Sequence, residues 1–210
     1  MVNSASMQRG LFFVVLCFLL SPFLHAEEYP WQLKKDSDGI PVHVREVEGS
    51  PILEFKGTVV VDRPIKDVID FYEQAERMPE WFHQCQESKL LETKSEDDKI
   101  LYFSLDLPWP VKDRDAVYER VRTTDASTGV IEYHSSALPD YSPKHDGRVR
   151  MPMVKGFWRF TPLDAGRTEV YYQQHGDVGG HIPAWLVNQL AVNIPFNSLQ
   201  HFRDHLTKTN

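Results

Sequence analysis

Ala184-Trp185-Leu186-Val187-Asn188-Gln189-Leu190-Ala191-Val192-Asn193-Ile194-Pro195-Phe196 is apolar on almost every side of a helix. Its only polar side chains are Asn188, Gln189 and Asn193. A helix with such a surface must be buried on more than one side, or must cover an apolar cavity. The helical pattern runs from Pro183 to about Leu206 and is the last element of the chain. Pro195 lacks a backbone donor and crowds the preceding turn, so a kink is expected there.

Upstream of this helix, strand signals dominate. Segments 31–35 and 40–47 flank Asp36-Ser37-Asp38-Gly39, a strong turn signal. A longer β-branched run covers 52–61. Ile65, Val68, Ile69 and Tyr72 then recur at helical spacing after Pro64, with Asp62 as the expected cap. A short helix is expected over 75–83. Further strands are expected at 87–93, 99–107, 116–123, 130–136, 149–161 and 168–175, the last two joined by Leu163-Asp164-Ala165-Gly166. Segment 138–147 reads as a surface loop. Many sequential strands with few helices give an α+β fold, and a curved sheet gripping the terminal helix would bury both faces of that helix.

Alternation along the late strands puts Trp158 and Phe160 on one face, opposite Phe157, Arg159 and Thr161. Tyr172 alternates with Tyr171, and Tyr133 with Glu132 and His134. Aromatics with polar tips suit an apolar wall that needs a few polar handles, as in a ligand site; an aromatic-rich core is the plainer reading.

Residues 1–26 read as a secretory signal, with Arg9 ahead of an apolar run from Leu11 to Leu20, a break at Ser21-Pro22 and Ala26 at the cut. The run is too short to span a bilayer, which takes roughly 20 apolar residues. Leu16, which precedes Cys17, is not the small residue that a lipoprotein signal needs, so no lipid anchor is expected. An uncleaved tether is the alternative. The mature domain is then 27–210, secreted or periplasmic and long enough for one core. Without Arg9 the 23 basic residues fall to 22 against 30 acidic ones, a net charge of −8. That argues against a standing nucleic-acid or anionic-membrane partner. Cys85 is the only cysteine left and cannot form an internal disulfide; it reads as a small buried hydrophobe.

Four blocks bring a family into view. Pro108-Trp109-Pro110-Val111-Lys112-Asp113-Arg114-Asp115, with Val117 and Arg120, resembles the central signature of START domains, the steroidogenic-acute-regulatory-related lipid-transfer family. Gly156-Phe157-Trp158-Arg159-Phe160-Thr161-Pro162 is similar to the family's penultimate strand, and Thr168-Glu169-Val170-Tyr171-Tyr172 to its last. Gly180-His181-Ile182-Pro183-Ala184-Trp185-Leu186-Val187-Asn188 is similar to its approach to the C-terminal helix. The blocks keep the family's order across 31–206. The resemblance implies a helix-grip fold: a long curved antiparallel sheet and the terminal helix enclosing a hydrophobic tunnel for one lipid, with neighbouring loops as a gate. It implies a non-catalytic binder or transfer protein. Two departures stand out. Nothing before Trp31 remains to form the family's first helix. No acid stands near Leu101 or Tyr102, where the family's sterol binders can carry a partner for the arginine matching Arg120.

The lipid-contacting residues expected on the sheet are Tyr102, Tyr118 and Arg120, then Tyr133, Trp158, Phe160 and Tyr172. On the roof helix they are Trp185, Leu186, Gln189, Leu190 and Asn193. Arg120 is the sharpest of these. Facing inward, its buried charge needs a partner, and a bound carboxylate or phosphate is one; otherwise it faces water or pairs with Glu132 or Asp106. His175, Asp177 and His181 are ligand-type side chains on a glycine-rich turn, but they lack a further strong ligand, so no metal is expected, and Asp177 can brace the turn instead. No G-x-S-x-G occurs, and Ser135 and His134 should point to opposite faces. The expected partner is a lipid or other hydrophobic small molecule, with transient membrane contact, no cofactor, no nucleic acid and a monomeric state. A hydrolase or cyclase acting in the same tunnel is the alternative, and a peptide-binding groove a third.

Overall fold

A computed structural model describes residues 29–208. The expected signal segment lies outside the described residues. Strands β1 (Gln32–Ser37), β2 (Ile40–Val47) and β3 (Ser50–Val61) form a meander whose first turn holds Asp38 at φ 55° and Gly39 at φ 72°. Helix α1 (Ile65–Tyr72) and a 3-10 turn (Ala75–Glu80) follow. Strands β4 (Cys85–Thr93), β5 (Asp98–Leu105), β6 (Arg114–Thr124) and β7 (Ile131–Ala137) come next, then β8 (Val149–Arg150), β9 (Met153–Pro162) and β10 (Thr168–Asp177). Helix α2 (Ala184–Lys208) ends the fold and contains Pro195 without interruption. Two local expectations are corrected. Pro64, not Asp62, sits at the N-cap of α1, with no side-chain cap. Segment 149–161 is two strands, because Met151 and Pro152 break the ladder and β8 pairs in parallel with β6.

All ten strands join one sheet, in the order β1-β2-β3-β10-β9-β7-β6-β5-β4, with β8 off that path. Neighbours on the path are antiparallel. The curved sheet and α2 form the helix grip. Helix α2 lies over β3 and β2, and Leu199 reaches over Gly57, where an added Cβ would stand 2.8 Å from Leu199 Cδ1. A side chain at this position would force Leu199 to shift.

The inner face carries the main core. Phe160, Phe202 and Leu199 are fully buried there, and Tyr72 packs on Trp158, Phe160 and Phe202. Burying each such side chain contributes about 1.5–3 kcal/mol. The outer face carries a smaller cluster of Ile100, Tyr102 and Val117, with Leu138 packed against it. Segment 138–147 packs on this side of the sheet, not beside α2. Arg150 holds it: the guanidinium makes a buried bidentate pair with Asp115 (2.9 and 3.0 Å) and donates to the carbonyls of Pro139, Ser142 and Pro143. Among the described residues no helix is long and apolar enough to cross a membrane.

Candidate functional site

Register decides which side chains meet inside the grip. Arg120 on β6 stands across from Ser135 on β7, Ser135 from Gly156 on β9, and Gly156 from Gln174 on β10. These positions lie abreast on the inner face. One row away, Tyr133, Trp158 and Tyr172 also lie abreast, with Trp158 and Tyr172 stacked at 4.0 Å. Arg120, Ser135 and Gln174 line an inner chamber of about 40 Å³, together with Tyr72, Tyr118, Trp81, Phe103, Trp158 and Tyr172. One liquid water takes about 30 Å³, so this chamber is narrow.

Arg120 is 4% exposed. Its guanidinium lies 5.3 Å from the ring centroids of both Tyr72 and Tyr133. Neither Glu132 nor Asp106 is its partner: Glu132 pairs with Arg159 and His134. No carboxylate forms an ion pair with Arg120 among the described residues. The residue facing Tyr118 across β5 is Leu101, an apolar wall of the same chamber. Burial raises the tyrosine pKa values at Tyr72, Tyr118 and Tyr172, and the Arg120 charge opposes the rise at the first two. These phenols are therefore neutral donors at physiological pH.

A second, more apolar chamber of about 60 Å³ lies under the first half of α2. Val187, Leu190, Ala191 and Ile194 form its roof, one helical face at i, i+3, i+4 and i+7. Phe55, Leu105, Leu107, Met151 and Val178 form its walls. Phe82, Phe103 and Gln174 border both chambers, with the two phenyl centroids 6.3 Å apart. Arg114 also lines it, but its guanidinium is committed to the carbonyls of Lys112, Val178 and Gly179. Both chambers are far below the roughly 300 Å³ of a site that encloses a drug-sized ligand. A ligand of that size fits neither chamber as it stands.

The expected site residues divide. Tyr118, Arg120, Trp158 and Tyr172 line the inner chamber and Leu190 the outer one. Tyr133 lies just behind, its hydroxyl donating to Glu73 Oε1 at 2.5 Å. Phe160 is fully buried core and lines neither chamber. Tyr102 is on the wrong face: it pairs with Val117 across β5 and β6, so it faces away from Tyr118, and its hydroxyl accepts from Arg148 at 2.6 Å. Trp185 is 70% exposed and Gln189 faces solvent, so neither points under the roof. Asn193 is half-buried and lines neither chamber. Leu186 faces an outer groove instead. Tyr72, Trp81, Phe82, Phe103 and Gln174 were missed, although Gln174 alternates in phase with Tyr172 and Trp81-Phe82 is a consecutive aromatic pair.

Around the roof, Asn188 ties α2 to β3, accepting from the Leu53 amide (3.0 Å) and donating to Pro51 O (3.3 Å). Asp177 braces the turn into α2 by accepting from Gly179 N at 2.8 Å, and His175 contacts Ser50 Oγ and Ile52 O. That turn needs glycine, with Gly179 and Gly180 at φ 67° and 72°. Outside it, a groove lined by Pro110, Val111, Ile182, Trp185 and Leu186 opens to solvent. Trp109, next to Pro110, is 92% exposed. Burial pushes the Cys85 thiol up to about 12, which disfavours the nucleophilic thiolate.

The family model described as START domain matches residues 24–210. A crystal structure of a STAR-related lipid transfer protein from Xanthomonas axonopodis is 39% identical, with a TM-score of 0.78 over 85% of this chain and 99% of that one. The phosphatidylcholine transfer protein of Mus musculus is 25% identical over 78% of this chain and 77% of its own length. An aromatase/cyclase from Streptomyces sp. R1128 shares the fold alone, at 16% identity and a TM-score of 0.51 over 74% of this chain and 93% of that one.

Proposed function

This chain belongs to the START domain family, and we propose that it binds one lipid in the tunnel under α2 without changing it, and carries that lipid between membranes. The observation that carries this reading is the pair of adjoining chambers: an apolar one roofed by Val187, Leu190, Ala191 and Ile194, and a narrow one ending at Arg120. Apolar burial would drive binding, at about 25 cal/mol per Å² before ordering costs. The lining supports binding over catalysis. Neither chamber is lined by Asp, Glu, His or Cys, and Ser135 points inward while His134 lies on the outer face against Phe157. Among the described residues Ser135 therefore has no neighbouring base in the chamber lining, and the buried tyrosines hold their protons.

Trp185 lines the outer groove and the exposed Trp109 adjoins Pro110 of its wall, and indoles favour the membrane–water interface. They would let the closed monomer touch a bilayer briefly while the roof opens. The protein acts after export, with its mature chain starting near Glu27.

Native mass spectrometry of the purified protein tests the reading. It should show a monomer with one co-purified lipid, and vesicle-to-vesicle transfer of a fluorescent lipid should return that lipid unaltered. Recovery of a hydrolysed or cyclised product would replace it with the enzymatic reading. An exported product whose N-terminus is still Met1 would replace cleavage by an uncleaved tether, and a product retained in the cytoplasm would remove the export step.

A further inference from the structure

The inner chamber is lined by hydrogen-bond donors and by no acid. Arg120 is buried without an ion-pair partner among the described residues, and the two tyrosine rings and a hydrogen bond with the neutral Tyr72 hydroxyl supply no counter-charge to offset the several kcal/mol that burying the guanidinium costs. Trp81, 3% exposed and walling the same chamber, has its indole N–H buried and unpartnered. Gln174, abreast of Arg120, already receives the Tyr172 hydroxyl on Oε1 at 2.8 Å, which leaves its amide N–H groups to donate. Ser135 and the neutral Tyr118 add hydroxyls. A buried guanidinium with several neutral donors and no counter-charge is complementary to an oxyanion. The adjoining chamber has the opposite character, since its one charged group, Arg114, is held by backbone carbonyls. Polarity therefore falls from Arg120 outward past Phe82 and Phe103 to the roof of α2.

Resting on the lipid-binding reading above, we propose that the ligand is an alkyl chain ending in a single oxyanion, a carboxylate or a phosphate monoester. It enters head first, with the anion on Arg120 and the chain passing between Phe82 and Phe103 to lie under Leu190, Ala191 and Ile194. The narrow inner chamber favours one compact head on one chain.

Titration of the full chain with oleate, oleyl phosphate and oleyl alcohol separates the possibilities. Oleate or oleyl phosphate should bind about ten- to a hundred-fold more tightly than oleyl alcohol, the range expected for one charge-assisted contact in a buried site. The tighter of the two anions identifies the head as carboxylate or phosphate. Arg120→Met should abolish the preference and leave oleyl alcohol within about three-fold of its original affinity. Gln174→Glu, which sets a carboxylate in the donor row and keeps the arginine, should weaken the anions alone, and it guards against misfolding of the first variant. Equal affinity for all three ligands overturns the proposal, as does an equal loss for all three in both variants. Failure of all three to bind overturns the tunnel reading itself, and this proposal with it.

Discussion

The two halves of α2 differ in what lies beneath them. From Pro195 to Leu206 the helix is core: Phe196, Ser198, Leu199, Phe202 and Leu206 are buried, Phe202 packs within 4.9 Å of the Trp81 ring centroid, and Ser198 accepts the His83 amide at 3.0 Å. From Ala184 to Ile194 the same helix spans a cavity, sends Trp185 into solvent and is tied to the sheet by Asn188. A filled interface of this kind sets stability, and a roof over a void sets what can open. Pro195 falls at the boundary between the halves, and its missing donor leaves one fewer helical bond there.

That contrast can be broken from the core side first. Phe202→Ala should cost about 3–5 kcal/mol of unfolding free energy in urea, because five aromatic neighbours cannot collapse into the space. A cost below 1 kcal/mol would mean that the second half is no better packed than the first. Gly57→Ala, which drives a methyl against Leu199, should cost about 1–3 kcal/mol and weaken the core half without entering either chamber.

Alkaline pH should have a smaller, graded effect. Burial raises the pKa of Tyr72, Tyr118 and Tyr172 above the ordinary value near 10. Their contribution is complete below about pH 10; above it the unfolded chain releases phenolic protons that the folded one keeps, so stability falls as pH rises. The urea midpoint should begin to drop near pH 10 and keep falling as pH climbs toward the raised folded-state values, and Tyr118→Phe should flatten the drop. A midpoint that stays level would mean that these hydroxyls reach water. Trp185→Ala should have the least effect on stability, within about 0.5 kcal/mol, yet it should slow lipid transfer between vesicles. A large stability loss there would make Trp185 part of the core.

The same contrast explains what could be read from the chain. The apolar excess of 184–196 left two readings open, a helix packed on several sides or one covering a cavity; the first half of α2 lies over an apolar chamber and the second half is packed core. Its phase could not be read, because a helix apolar on nearly every side does not say which side faces in; hence Trp185, Leu186, Gln189 and Asn193 were expected beneath the roof and only Leu190 is. Strand β5 failed for the same reason. Ile100-Leu101-Tyr102-Phe103 is buried on both faces, so alternation carried no sign, and only pairing with β6 shows that Leu101 and Phe103 face in while Tyr102 faces out. Where strands alternate cleanly, as at Tyr133, Trp158 and Tyr172, the inward face was legible. The Arg150 clamp on segment 138–147 was not, because it joins residues brought together only by β8 crossing beside β6.

Amide hydrogen exchange along α2, with and without bound oleate, tests the division most directly. Amides of 186–194 should exchange about a hundred-fold or more faster than those of 198–206 in the free protein, and slow selectively when the ligand is bound. Equal protection along the whole helix, unchanged by ligand, would contradict a roof that opens.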